Sequence, residues 1–174
     1  MLFIAALIAL LSQQPAAHFP VVKSDNLEGR TFTLPTDFGG DRNVVFVAFQ
    51  REQQKDVDTW VPFVTKQIAA HPGTEYYELP TIKKMISPMK WMINKGMSGG
   101  IPDKAAREHT ITLYIDKEPF KKELGITDER VIQVMIVDRA GAVLWRTAGL
   151  FSDEKGAALA AALAAALATA LRAK

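Results

Sequence analysis

At residues 44–49 the sequence reads Val-Val-Phe-Val-Ala-Phe, a run of β-branched, aromatic and small apolar residues without a polar position. A strand with one face in solvent alternates apolar and polar residues, so an unbroken apolar run indicates a strand covered on both faces. A second, nearly apolar run covers residues 131–137 and leads into Asp138-Arg139-Ala140-Gly141, a tight-turn sequence, before a last strand at 142–147. These runs predict the centre of a buried sheet.

The segments around these strands predict alternating helices and strands. A helix with a kink at Pro62 is predicted over residues 50–70, and a short one over 117–124, closed by Gly125. Further strands are predicted within 26–35, 74–82 and 111–116, and an Ala/Leu-rich helix follows Ser152. In that last helix, leucines recur at every fourth position: Leu159, Leu163, Leu167 and Leu171. The pattern predicts an α/β fold with a mixed central sheet of about five strands and helices on both faces.

Composition excludes several function classes. The chain has 174 residues, with 21 Lys and Arg against 19 Asp and Glu, so the formal net charge is +2. That excess is too small to indicate nucleic-acid binding, and no nucleic-acid partner is predicted. Cysteine is absent from the sequence, which rules out disulfides, thiolate metal sites and cysteine nucleophiles.

The first residues predict export. Residues 2–11 are an unbroken apolar run, Leu-Phe-Ile-Ala-Ala-Leu-Ile-Ala-Leu-Leu, followed by small and polar residues up to Ala17. Ten residues are too few to span a bilayer, which takes roughly 20. We therefore predict a signal peptide over 1–17, with a short N-terminal anchor as the alternative, and one domain over 18–174. The expected location is the bacterial periplasm, with membrane association if the N-terminal segment is retained.

From about Leu27 to the C-terminus, the chain resembles the thioredoxin-like superfamily. The resemblance rests on the buried strand Val45–Phe49 followed by a helix with Pro62, and on the strand Val131–Asp138 with Gly141 after it. It implies a thioredoxin-like domain.

The resemblance also implies where a redox site would lie. Redox-active members carry Cys-x-x-Cys at the start of the first long helix, and that motif falls on Gln54-Lys55-Asp56-Val57. They also carry a cis-proline before the hairpin strand, where this chain has Ile132. Gln54 and Val57 are therefore vestigial redox positions, and the resemblance implies the fold without its thiol chemistry.

The chain also has a fainter resemblance to a mitochondrial assembly-factor family for the F-type ATP synthase, whose members are thioredoxin-like but lack redox cysteines. The similarity lies in Tyr77-Glu78-Leu79-Pro80, in residues 109–114, and in residues 134–149. It implies a chaperone-like binding role.

Residues 83–101, KKMISPMKWMINKGMSGGI, contain four of the six methionines and carry the strongest functional signal. No acidic residue lies between Thr81 and Gly100, so the four lysines of this segment give it a local charge of +4. The methionines place adaptable apolar side chains beside that charge. Such a face suits a protein partner or an anionic membrane surface. The alternative is a solvated helix whose apolar side is buried. The candidate interaction surface comprises Lys83, Lys84, Met89, Lys90, Trp91 and Lys95.

Other motifs give weaker signals. Gly96-Met97-Ser98-Gly99-Gly100 matches a nucleophile-elbow pattern, but no buried strand precedes it, and a glycine-rich loop is predicted instead. The three histidines, His18, His71 and His109, lack metal-ligand spacing, so no metal is predicted.

We predict a non-catalytic binding module without a cofactor, an assembly or chaperone-like factor at a membrane surface. One alternative is a cysteine-independent oxidoreductase or peroxide-handling enzyme. A further alternative is a copper carrier that uses Met85, Met89, Met92 and Met97, placed by the sequence close to one helical stripe.

Overall fold

The structure, a computed structural model, describes residues 17–172; the predicted signal segment up to residue 16 lies outside the described residues. Within this range the strands are β1 (Val22–Asp25), β2 (Thr31–Leu34), β3 (Arg42–Ala48), β4 (Thr74–Lys83), β5 (Leu113–Ile115), β6 (Gln133–Asp138) and β7 (Val143–Ala148). The helices are α1 (Gln54–Asp58), α2 (Val61–Ala70), α3 (Ser87–Gly100), α4 (Lys104–His109), α5 (Lys117–Leu124) and α6 (Asp153–Arg172), and a 3-10 turn at Arg51–Gln53 precedes α1.

The main sheet has five strands in the order β5-β4-β3-β6-β7, while β1 and β2 form a separate antiparallel pair. The central strand β3 pairs in parallel with β4 and antiparallel with β6. This arrangement confirms the predicted mixed sheet and explains why the run at 44–49 has no polar position.

Side chains of β3 alternate between two apolar layers. Val45 and Val47 point into the layer that holds Phe120 of α5, and Phe46 points into the layer that holds Trp60 and Leu159. Helices therefore cover both faces of the sheet, as predicted.

The helix predicted over 50–70 is in fact divided, and the expected kink at Pro62 is wrong. The structure has α1 ending at Asp58 and α2 beginning at Val61, with Pro62 in the first turn of α2. A proline has no backbone N–H, and the first-turn N–H groups of a helix have no partner within it, so proline fits there without bending the helix.

Short elements differ from the sequence expectations for local reasons. The N-terminal strand predicted within 26–35 is β2, and β1 precedes it across a turn in which the Asn26 side chain accepts from the backbone N–H groups of Glu28 and Arg30. Strand β5 is shorter than the predicted 111–116 because Asp116 instead caps α5, accepting from the Glu118 N–H.

The last hairpin and the last helix are confirmed. Asp138 accepts from the Ala142 N–H, and Gly141 has a φ of 96°, a left-handed conformation that favours glycine. A Cβ at Gly141 would also overlap the His18 imidazole. In α6, Leu159 and Leu163 are fully buried against the sheet.

Candidate functional site

The head of α1 is the place where the family resemblance puts the redox pair. Gln54 is the first residue of α1, and its amide donates to Asp58 Oδ1 (3.1 Å) and to Glu78 Oε2 (3.0 Å). Val57 is buried in the apolar layer with Trp60. The two positions therefore carry an amide held by carboxylates and a core side chain. Ile132, at the expected cis-proline position, is fully buried in the same layer.

Gln53, which the sequence analysis did not single out, fixes the turn from β3 into α1. Its buried side chain accepts from the backbone N–H of Phe49 (2.8 Å) and of Gln50 (3.2 Å), and it donates to the Glu129 carbonyl (2.7 Å). One glutamine thus satisfies backbone groups that are distant in sequence and connects the end of β3 to the segment before β6.

Glu78 is a buried carboxylate behind α1, also missed from the sequence. It lies on β4 opposite Phe46, and Gln54 is the one described side chain that donates a hydrogen bond to its carboxylate. Burial is the main cause that raises the pKa of Glu78 above its ordinary 4.5, and the Asp58 charge adds to it. The Gln54 hydrogen bond and His109 act in the opposite direction.

We expect Glu78→Gln to stabilise the protein at neutral pH. Because the pKa of Glu78 is raised in the folded state, folding favours the protonated form of this carboxyl group. The contribution of this group to stability is fully present below pH 4.5, the ordinary pKa of the group, and is lost as the pH rises through the folded-state pKa. The amide stays neutral and still accepts from Gln54, so the free energy of unfolding should rise by about 1 kcal/mol at pH 7. Urea unfolding at pH 7 and pH 4 would measure this.

The gain should nearly vanish at pH 4. The matched control is Glu75→Gln, which removes a partly exposed carboxylate on the same strand, 3.3 Å from His109. An equal gain from both variants, or a gain independent of pH, would contradict the burial argument.

Helix α3 carries Met89, Lys90, Trp91 and Lys95 of the predicted interaction surface, and none of the helix residues is buried. Lys83 is the last residue of β4, and Lys84 lies between β4 and α3. Neither apolar layer of the fold includes a residue from it. The exposed fractions are 47% for Met89, 65% for Trp91 and 63% for Met92, and Ile86, just before the helix, is 68% exposed. The inner side of α3 is only half-buried, at Ile93 and Met97 among others, and the helix contributes no residue to either packed layer.

The lysines of this surface have no acidic partner. Within residues 17–172, none of Lys83, Lys84, Lys90 and Lys95 forms an ion pair; the ion pairs recorded there involve other side chains. Lys95 Nζ lies 4.8 Å from the centre of the Trp91 ring, and Lys90 Nζ lies 5.3 Å from that of Tyr114. The structure therefore leaves these four charges without an acidic partner among the described residues.

A few polar contacts attach α3 to the rest of the protein. The Tyr114 hydroxyl donates to Asn94 Oδ1 (2.6 Å), and burial raises the pKa of Tyr114 to about 12, so this donor keeps its proton at physiological pH. Thr112 Oγ1 donates to the Met97 sulfur at 3.8 Å, and Ser98 donates to the Leu27 carbonyl. Between α3 and β1 these contacts leave a groove of about 500 Å³, lined in part by Lys23, Asp25, Trp91, Asn94 and Tyr114.

The structure corrects two motif interpretations. The predicted glycine-rich loop at 96–100 is the end of α3, so the segment is neither a loop nor a strand-to-helix nucleophile elbow. The four methionines do not share one stripe, because Met97 contacts Thr112 while Met89 and Met92 face outward and Met85 precedes the helix. Among the described residues, no three His, Asp or Glu side chains are grouped as metal ligands.

The glycines of α3 allow its helical state to be tested. Gly96 lies inside the helix, and a Cβ there would meet nothing within 4 Å. We expect Gly96→Ala to stabilise α3 by about 0.5–1 kcal/mol, because glycine loses more backbone freedom than alanine on forming a helix. Amide hydrogen exchange in α3 should slow roughly two- to five-fold.

Gly141→Ala is the contrasting control, because φ and the His18 ring both oppose a side chain there. That variant should lower the stability of the whole domain. Unchanged exchange in Gly96→Ala would contradict a helical α3.

The comparisons with known proteins identify the fold. A thiol:disulfide interchange protein DsbE from Chlorobium tepidum is similar over 87% of this chain and 96% of its own, with a TM-score of 0.54 and 15% identity. The chain has a thioredoxin-like fold. An exposed lipoprotein thioredoxin from Streptococcus pneumoniae gives a TM-score of 0.51 at 16% identity, covering 83% of this chain and 98% of its own.

An electron transport protein from Aquifex aeolicus VF5 gives a TM-score of 0.59 at 9% identity, covering 86% of this chain and 97% of its own. Neither a scan of protein families nor a search of curated proteins finds a match. The ATP synthase assembly-factor resemblance therefore has no support, whereas the thioredoxin-like fold is shown. Along residues 17–172, no helix is long and apolar enough to cross a membrane.

Proposed function

We propose that this protein is a non-catalytic binding module, an assembly or chaperone-like factor that recognises its partner through α3. The observation that carries the proposal is the state of α3. It presents Met89, Trp91 and Met92 to solvent beside lysines without acidic partners. Exposed apolar side chains grouped with a single sign of charge are typical of interaction sites.

The head of α1 supports a role without thiol chemistry. Several structural neighbours are named as thiol:disulfide interchange proteins, and that chemistry needs thiolates. This chain has no cysteine, and the positions the resemblance assigns to the redox pair hold Gln54 and the buried Val57. We further propose that the protein is exported, on the apolar run at residues 2–11, in keeping with the neighbour described as an exposed lipoprotein.

Site-specific photocrosslinking in the native cell tests the binding role. A crosslinking residue placed at Met89 or Met92 should give a discrete adduct. The same residue at Lys66, which is exposed on α2, should not. Adducts from Lys66 equal to those from α3, or no adduct from α3 to either a protein or a lipid, would refute the proposal.

Two assays test the enzymatic alternative. Purified protein should neither reduce insulin disulfides nor consume peroxide above the rate without protein. Catalytic turnover in either assay would favour a cysteine-independent enzyme and would contradict a purely binding role.

A further inference from the structure

The occupant of the α3 surface can be inferred from its charge and shape. Resting on the binding role proposed above, we propose that α3 docks in the headgroup region of an anionic phospholipid bilayer. Its outer face meets the acyl boundary, and its lysines meet lipid phosphates. The α3 surface is defined as Lys83, Lys84, Ile86, Met89, Lys90, Trp91, Met92 and Lys95.

The α3 surface is positively charged. The surface carries lysines and no carboxylate from residue 82 to residue 99, and none of those lysines has an ion-pair partner in the described part of the chain. Lys83, Lys84 and Lys95 are exposed, so their ammonium groups are available to anionic headgroups, which attract clusters of lysine next to an amphipathic helix.

The outer face of α3 is apolar and open. Helical spacing places Met89 and Met92 on one side, with Gly96 and Gly99 continuing that side along the helix. A Cβ at either glycine would meet nothing within 4 Å, so no neighbouring group covers this half of the face. An exposed helix face of this kind can dock at a bilayer interface, which accepts the apolar side of an amphipathic helix without a shaped pocket.

An exposed tryptophan and a second apolar segment also suit a membrane interface. Trp91 lies beside the outer face with Lys95 over its ring, and tryptophan is enriched at membrane interfaces. The sequence also holds the ten-residue apolar run at 2–11, ahead of the described residues. Stable attachment of a peripheral protein takes two such signals, and α3 would supply one of them.

Vesicle sedimentation with the full chain tests this inference. The protein should bind vesicles of equal parts phosphatidylglycerol and phosphatidylcholine, should bind pure phosphatidylcholine far more weakly, and should be released by high salt. Lys84→Glu/Lys95→Glu should weaken binding to the anionic vesicles by at least about tenfold. The control, Lys55→Glu/Lys66→Glu, makes the same charge change at exposed positions on α1 and α2 and should bind like the wild type.

Two further variants test the geometry. Met89→Ser/Met92→Ser, which removes no charge, should also weaken binding. Brominated lipid should quench a fluorescence component that is lost in Trp91→Phe, because Trp60 is buried in the core and Trp145 is partly buried against the same apolar layer, away from α3.

Equal binding by the two double-lysine variants, or equal binding to neutral and anionic vesicles, would overturn the inference. Absence of vesicle binding together with a protein adduct from Met89 would also overturn it, and would leave the binding role proposed above in place. Absence of both vesicle binding and adduct would refute both.

Discussion

Trp60→Ala should lower the free energy of unfolding by about 3–5 kcal/mol, a large share of the stability of a domain of this size. Trp60 is fully buried where α1 ends and α2 begins. Its ring packs edge-on against Phe151, with centroids 5.2 Å apart, and its indole N–H donates to the Gly149 carbonyl at 2.9 Å. Alanine would leave a cavity and remove that donor. Urea unfolding followed by circular dichroism would measure the loss.

Two variants sharpen the test. Trp60→Phe keeps an aromatic ring and loses the donor to Gly149, so it should cost less than alanine. Trp91→Ala removes the same residue type from the exposed side of α3 and should change stability by less than about 0.5 kcal/mol. A large loss from Trp91→Ala would show that α3 contributes to the core and would contradict the basis of both proposals.

Gln53→Ala should cost about 2–3 kcal/mol, the second largest effect expected. Its side chain pairs with the backbone N–H groups of Phe49 and Gln50 and with the Glu129 carbonyl, and alanine leaves these groups without a partner. A buried group that loses its partner costs about 1–3 kcal/mol. Denaturant unfolding again provides the measurement.

Glu52→Ala is the control for Gln53, because Glu52 is exposed in the same 3-10 turn. It should have little effect on stability. Gln53→Glu keeps an acceptor for Phe49 but buries a carboxylate against the Glu129 carbonyl, so it should cost at least as much as Gln53→Ala at neutral pH. Equal losses of stability from Glu52→Ala and Gln53→Ala would contradict the role assigned to the Gln53 hydrogen bonds.

The central fold was predictable because its signal is local. An apolar run such as 44–49 indicates a strand covered on both faces, and the regular leucines of the last helix indicate the side that packs. The division of the helix at Trp60 was not predictable from the presence of Pro62, because proline disrupts a helix interior but fits its first turn. Only the packing of Trp60 decides which case applies.

The candidate site was predictable in composition and not in arrangement. Periodicity shows that α3 has an apolar side, but it does not show whether another element covers that side. In the sequence, Gln53 and Glu78 cannot be distinguished from ordinary polar residues, because their partners depend on how distant segments pack. Glu129, for example, lies 76 residues after Gln53. Such pairings carry no signal in local spacing.

The separation of α3 from both apolar layers has an evolutionary consequence. Substitutions at Met89, Met92 or Lys95, which are exposed, leave the folding energetics almost untouched, so natural variation at these positions meets no stability penalty from the rest of the domain. Relatives of this protein should therefore differ most in the sequence of α3. What α3 binds should differ among them accordingly, while the sequence of the central sheet is retained.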